Sequence, residues 1–305
     1  MTLKTIAIMS PGDMGHAVGR SLGEHGYDVI GCLRGRSERT RALAKKGNVG
    51  EVATLEEMVL QADLVMSILV PAEAVDAARK VADAIRATGS PIAYVDCNAV
   101  SPQTTATIDG IITGAGGAYI DGGIIGGPPG RGPAPRFYLS GPHAHVMAEL
   151  DGKGIAIRDI GGPVGRASGI KMCYAALSKG TSTLHVAVLT AAEALGLSQE
   201  LEAELRSSRP GVVDQMGAIP RLPANAHRWI GEMEEIAATF DAVGVTPHFH
   251  LGAAEMYRLL SRTPFAEEAP EEMDQSRTVE ETIQAVARLL PPRVEDATES
   301  GGDRS

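Results

Sequence analysis

The feature that most limits how this chain can fold is an apolar run, Lys4 to Ser10, that passes through Ser10-Pro11-Gly12-Asp13-Met14-Gly15 straight into a helical pattern ending near Gly26. A buried strand joined to a helix by so few residues, with glycines at the joint, defines a strand–turn–helix unit. The alternation then repeats. Tyr27–Leu33, Asp63–Val70, Pro91–Cys97, Ala118–Ile125 and Arg136–Ser140 read as strands. Glu38–Lys46, Ala72–Ala87 and the stretch from Ser101-Pro102 to Thr113 read as helices, and Thr54 to Glu57 forms a capping box that opens a short one. Strands alternating with helices predict a mostly parallel sheet covered on both faces, the α/β class.

At Gly161-Gly162-Pro163 the pattern changes. From there to about Leu195 the spacing predicts one long helix, and 198–209, 227–243, 247–262 and 277–290 read as further helices. The expected organisation is an N-terminal Rossmann-type doubly wound sheet over residues 1–162, an all-helical domain over 163–292 and a disordered tail over 293–305. Of the 36 glycines, 25 lie in the first of these segments, where turns and close backbone approaches are needed.

Composition narrows the possible partners. With 28 Lys and Arg against 38 Asp and Glu, the net charge is −10, which repels phosphate backbones and argues against a nucleic-acid partner. The acidic group Glu267, Glu268, Glu271, Glu272 and Asp274 reads as a solvated helix end or loop. Cys32, Cys97 and Cys173 are far apart and form no C-x-x-C, which suits a reducing, cytoplasmic setting. No apolar run approaches the ~18 residues of a membrane helix, so no membrane partner is expected.

The joint at Ser10–Gly15 is a G-x-G-x-x-G loop with serine in place of its first glycine. Gly12 would let backbone approach a pyrophosphate, and Gly15 would let helix and strand pack closely. The helix N-terminus adds unpaired N–H donors and a positive dipole end. A dinucleotide site is therefore expected at Ser10, Pro11, Gly12, Asp13, Met14 and Gly15. The second strand ends in Gly31-Cys32-Leu33-Arg34-Gly35-Arg36-Ser37, with no acid to hold ribose hydroxyls. Arg34, Arg36 and Ser37 suit a 2′-phosphate instead, so NADP is expected over NAD. Leu69 and Val70, closing the Asp63–Val70 strand, complete the expected cofactor contacts together with Asn98.

In combination these segments resemble the β-hydroxyacid dehydrogenase family, which includes 3-hydroxyisobutyrate and 6-phosphogluconate dehydrogenases. Ser10-Pro-Gly12-Asp-Met14-Gly15 is similar to the family's Gly-x-Gly-x-Met-Gly. Asp96-Cys-Asn98-Ala-Val-Ser101-Pro102 is similar to a segment beside nicotinamide and substrate, and Asp121-Gly-Gly-Ile-Ile125-Gly126-Gly127 to the substrate-binding segment. Gly165-Arg-Ala-Ser-Gly-Ile-Lys171 is similar to the segment that carries the catalytic lysine. The resemblance implies hydride transfer with Lys171 as general acid/base, a substrate bordered by Asn98, Ile125, Gly126 and Gly127, and a homodimer or larger assembly. The chain departs from the family pattern at Ile125, where serine is usual, at Ala175, where asparagine is usual, with Tyr174 just before it, and at Ser178, where 6-phosphogluconate dehydrogenases carry a glutamate. Lys171 to Gly180 looks like a branch whose C-terminal domain has no assigned function.

On the predicted long helix, Lys171, Ala175, Ser178, Ser182 and His185 share one face, and Leu177, Leu184, Val188 and Leu195 share another. The first stripe suggests a desolvated lysine with Tyr174, Ser178 and His185 near a small-molecule substrate, and the long helix at 164–195 as a whole is the expected subunit interface. An imine reductase shares the architecture, favoured by apolar Ile125 and Ala175 and opposed by Lys171. A non-catalytic NADPH-binding regulator is the alternative from another class. His143 with His145, and His248 with His250, have no evident third ligand, so no metal is expected. Trp229, Met233 and Phe240 read as a helix core stripe.

Overall fold

The computed structural model describes residues 2–269 and 272–291; Glu271 and the tail expected over 293–305 lie outside them. The chain forms two compact units. One comprises the residues up to Ala176 together with Glu235–Pro247, the other Leu177–Glu234 together with the residues from His248 onward.

The first unit is the expected α/β structure. Its strands are β1 (Thr5–Ile8), β2 (Asp28–Cys32), β3 (Gly50–Val52), β4 (Leu64–Ser67), β5 (Ala93–Asp96), β6 (Ala118–Ile125), β7 (Arg136–Ser140) and β8 (Ala156–Asp159). Its helices are α1 (Asp13–Glu24), α2 (Glu38–Lys46), α3 (Leu55–Gln61), α4 (Ala74–Thr88), α5 (Pro102–Thr113) and the start of α6 (Arg166–Leu195). The eight strands form one sheet in the order β3-β2-β1-β4-β5-β6-β7-β8. Every neighbouring pair is parallel except β6 with β7. Apolar residues are buried on both faces, as helices on both sides of a sheet require. Ile6, Ile8, Val18 and Leu22 belong to one core, and Val65, Tyr94, Val81 and Ile108 to the other.

Local chemistry accounts for the element boundaries. Ser37, Thr54 and Ser101 each accept the backbone N–H three residues on, and so cap α2, α3 and α5. The three-residue edge strand β3 and the late strand β8 are not evident from the sequence pattern. The first is too short to show a period, and the second is preceded by Gly152 and Gly154 at positive φ. The division between units falls inside α6, after Ala176, rather than near residue 162. The first turn of that helix is bound to Asp121 of β6.

The second unit holds the rest of α6, α7 (Ser198–Ser208), α8 (Pro210–Met216), the start of α9 (Pro223–Asp241), α10 (His248–Leu260) and α11 (Val279–Ala287). Inside it, Lys179 Nζ lies 2.6 Å from Glu232 Oε1 and 5.6 Å from the centre of the Trp229 ring. Trp229 meets Tyr257 edge-on at 5.3 Å, and Met233 is fully buried. No helix among the described residues is long and apolar enough to cross a membrane.

The α1–β1 packing yields a prediction. A Cβ at Gly15 would lie 2.5 Å from the Ser10 carbonyl oxygen and 3.2 Å from Ile8 Cγ2, whereas one at Gly12 would meet nothing within 4 Å. Gly15→Ala is expected to lower the unfolding free energy by about 1–3 kcal/mol, as overpacking does. Gly12→Ala, at a φ of −76°, should change it by less than ~0.5 kcal/mol. Urea denaturation of both variants checks this.

Candidate cofactor and lysine site

Ligands of open α/β sheets bind beyond the carboxyl ends of the strands, where the strand order reverses. Here the reversal lies between β1 and β4, with the chain running outward to β2 on one side and β5 on the other. Beyond β1, Gly12 N–H bonds the Ser10 carbonyl at 2.8 Å and turns the chain into α1, whose N-terminus has no side-chain cap. Pro11 and Gly15 are buried, and Ser10, Gly12, Asp13 and Met14 are half-buried. The open space at Gly12 leaves the N-terminal amides approachable, and these donors fit a pyrophosphate. His16 Nδ1 pairs with the Gly12 carbonyl at 2.8 Å, bracing the loop from behind.

The end of β2 is cationic. Arg34 is exposed, Arg36 Nη2 donates to the Met9 carbonyl at 3.2 Å, and Arg39 pairs with Asp13 at 2.6 Å. Ser37 Oγ accepts from Thr40 N at 3.2 Å, so this hydroxyl caps α2. Sequence reasoning missed Arg39, which pairs with the acid inside the Ser10–Gly15 loop.

The ends of β4 and β5 are tied together. Asn98, only 2% exposed, accepts the Leu69 N–H on Oδ1 and donates from Nδ2 to Ser67 Oγ at 2.9 Å. Its own N–H donates to Asp96 Oδ1 at 2.8 Å. The side chain of Asn98 is thus used to hold the turn that contains Leu69 and Val70. The next helix, α5, carries a non-local cap. Glu235, on α9, accepts the Ser101 N–H at 2.7 Å and the Thr104 hydroxyl at 2.9 Å. A local capping box would place that carboxylate at position 104.

Asp121 is the hub of the lysine side. It is fully buried and accepts from Ser140 Oγ at 2.7 Å, Gly165 N at 2.8 Å, Ala167 N at 3.0 Å, and both N (3.2 Å) and Oγ (2.5 Å) of Ser168. A carboxylate from β6 therefore caps α6, and its charge is favoured at a helix N-terminus. One turn later Lys171 passes over Gly123: a Cβ there would lie 2.9 Å from Lys171 Cβ and 2.7 Å from the Ala167 carbonyl oxygen. Lys171 is half-buried. Among the predicted substrate residues, Ile125 is 3% exposed, Gly126 takes a φ of +124° against Pro135, Gly127 is exposed and Tyr174 is 49% exposed. Ala175 is buried. Ser178 and His185 belong to the second unit. Ser178 is exposed there, and burial lowers the His185 imidazole below its usual range.

The registers of β4 to β7 align Ser67, Asp96, Asp121 and Ser140 in one rung, all essentially buried. Burial first, then the charge of Asp121, push the Asp96 carboxyl up to about 7, although the Asn98 N–H pulls it down. Among the described residues no three His, Cys, Asp or Glu are placed to share a metal. Asp121→Asn is expected to cost about 2–4 kcal/mol of stability, because an amide NH₂ would then face the buried N–H donors of α6. Urea denaturation with circular dichroism measures the loss.

Residues 5–150 match the NAD binding domain of 6-phosphogluconate dehydrogenase, and residues 192–260 match a domain of unknown function, DUF1932. An uncharacterized 28.5 kDa protein of Methanothermus fervidus is 32% identical over 174 residues, 57% of this chain and 65% of that protein, so the match spans just under two thirds of the relative. A conserved protein of unknown function, described as structurally similar to 3-hydroxyacid dehydrogenases, is 26% identical with a TM-score of 0.62, covering 84% of this chain and 96% of that one. The 3-hydroxyisobutyrate dehydrogenase of Mycobacterium tuberculosis has the same fold at 20% identity and a TM-score of 0.66, covering 95% and 100% of the two chains. An imine reductase of Streptomyces aurantiacus also has it, at 17% identity and a TM-score of 0.53, covering 95% and 100%. The chain thus joins an NAD-binding domain of the 6-phosphogluconate dehydrogenase type to a DUF1932 region, on the fold shared by 3-hydroxyisobutyrate dehydrogenases and imine reductases.

Proposed function

We propose that this chain is an NADP-dependent oxidoreductase acting between a carbonyl and an alcohol carbon of a small hydroxy-acid-like substrate, with Lys171 as general acid/base. The observation that carries this reading is the seating of Lys171. It lies over Gly123 on a helix whose first turn Asp121 fixes, in the same compact unit as the Ser10–Gly15 loop. When bound, the nicotinamide supplies or accepts the hydride. Ser10 to Gly15 hold the pyrophosphate through backbone donors, and Arg34 and Arg36 supply cationic charge for a 2′-phosphate beside the N-terminus of α2, capped by Ser37. Asn98 holds the turn at Leu69 and Val70 in place. Lys171 Nζ gives a proton to the carbonyl oxygen in reduction and takes it from the hydroxyl in oxidation. Ile125, Gly126, Gly127 and Tyr174 border the substrate in this reading.

Two rivals are separable. Buried apolar Ile125 and Ala175, at positions where polar substrate contacts are usual, favour an imine substrate; Lys171 disfavours it. A non-catalytic NADPH-binding regulator would need no proton carrier. The test follows nicotinamide absorbance with NADPH and NADH across oxo acids, aldehydes and cyclic imines. Lys171→Ala should lower kcat by about 10²–10⁴-fold with NADPH affinity unchanged. Turnover surviving in the variant would overturn the lysine assignment. Preference for NADH would overturn the arginine reading, turnover of imines alone the hydroxy-acid reading, and no turnover of any compound would favour the regulator.

The partner proposed is a second copy of the chain. On α6, Ile170, Tyr174, Leu177, Leu184, Val188 and Leu195 are exposed at steps of three, four or seven residues, the repeat of a helix–helix seam. Leu177→Glu combined with Leu184→Glu should shift the mass seen by light scattering from dimer to monomer.

A further inference from the structure

Asp96 takes no part in the proposed chemistry, yet it sits beneath the tie that joins β4 to β5. It is 2% exposed and lies next to Asp121 in the register of β5 and β6. Strands in a sheet are about 4.8 Å apart, so the two carboxyl groups are near neighbours. They are not equivalent. Asp121 accepts from five donor groups, so every face of its carboxyl is served. Asp96 receives one donor, the Asn98 N–H, on Oδ1, while its buried Oδ2 has no hydrogen-bond partner. The charges facing it are Asp121 from β6 and Glu235 from α9, both acidic. The other titratable neighbours are Tyr94, Cys97 and Tyr119, which burial keeps neutral. Two buried carboxyl groups side by side cannot both ionise without strain, and the less solvated one keeps its proton.

We infer that Asp96 is a proton-carrying positioning residue: protonated, it leaves the Asn98 tie closed, and ionised, it loosens that tie. The link is short. The same Asn98 that donates its N–H to Asp96 Oδ1 accepts the Leu69 N–H on its side chain. A negative charge on Asp96, repelled by Asp121 and Glu235, is relieved by admitting water, and we place that opening at the Asn98 turn because this turn is hydrogen-bonded directly to Asp96. Linkage sets the sign. The folded carboxyl, pushed up to about 7, binds its proton more tightly than the unfolded one, so the contribution of this group to stability falls as pH rises from about 4 towards 7 and is lost above it. If the Leu69 turn belongs to a dinucleotide site, on which the proposed oxidoreductase function rests, dinucleotide binding takes up a proton and weakens as pH rises.

Nuclear magnetic resonance on the ligand-free full chain tests the tie directly. In carbon-13 aspartate spectra, one carboxyl signal is expected to titrate near neutrality and to vanish in Asp96→Asn. The hydrogen-exchange protection factor of the Leu69 amide should fall at least about three-fold between about pH 6 and about pH 8.5 in the natural chain and stay level in Asp96→Asn, which keeps the Oδ1 acceptor. In Asp96→Ala, which loses it, protection should be low at both. Absence of any aspartate titrating near neutrality, or Leu69 protection that responds to pH equally in Asp96→Asn, overturns the inference. A third measurement, NADPH affinity by fluorescence, should show a pH dependence that Asp96→Asn removes and that persists in His16→Gln and with NADH; a slope surviving in Asp96→Asn also overturns it. Failure to bind either dinucleotide would sink the proposed oxidoreductase function, while the two ligand-free measurements still decide the role of Asp96.

Discussion

The carboxylate of Asp121 is the interaction on which the first unit most depends. It is a charge taken wholly out of water, which is costly unless hydrogen bonds replace the lost hydration. Here the replacement comes from the first turn of α6 and from the neighbouring strand β7. One set of bonds has two results. The helix obtains a cap that its own sequence, Gly165-Arg166-Ala167-Ser168, does not supply, and Lys171 is placed at a set distance from β6. The Ser168 hydroxyl also accepts from Thr105 at 2.7 Å, which ties α5 to the same point. Strand, helix and candidate catalytic lysine are therefore positioned together rather than separately.

The sheet divides its chemistry along its strands. The central strands β1, β4 and β5 are mostly apolar and buried, and across β4 to β7 Ser67, Asp96, Asp121 and Ser140 stand abreast in one rung. Beyond that rung lie the Asn98 tie and Gly123, and on the other side of the strand-order reversal the Gly12 loop. The polar groups of the central strands are thus gathered in one buried rung, hydrogen-bonded to one another and to α6, while the apolar remainder packs into the two cores.

How much of this was legible in the sequence depends on the range of the interactions involved. The glycine loop, the caps at Ser37, Thr54 and Ser101 and the alternation of elements are local, and their residue types announce them. Gly15 was legible because helix–strand contact at that turn requires it. Gly126 and Gly127 stand out through their likeness to the family's substrate-binding segment, but the tight approach is at Gly123, earlier on β6, and only the path of α6 reveals it. Asp96 and Asp121 carried a signal in being acids within apolar strand patterns; their adjacency needed the register. Glu235 carried none. It is 134 residues from the Ser101 amide that it caps, and its neighbours Glu232 and Glu234 look the same in sequence.

That remote cap bears on how the molecule can be assembled. The first unit is discontinuous: its sheet and five helices are complete by α5 and β8, but the N-terminus of α5 is closed by a residue that enters only after α7 and α8. During synthesis, the emerging α/β half must wait with the Ser101 amide and the Thr104 hydroxyl served by water until α9 arrives. A chain ending at residue 162 would lack this cap as well as the α6 donors of Asp121, leaving a buried anion with most of its partners missing. The dinucleotide-type half of this protein is therefore not a module that can be cut away from the helices C-terminal to it. The two units are interleaved in sequence, and the first is completed only by its own later segments, the start of α6 and residues 235–247.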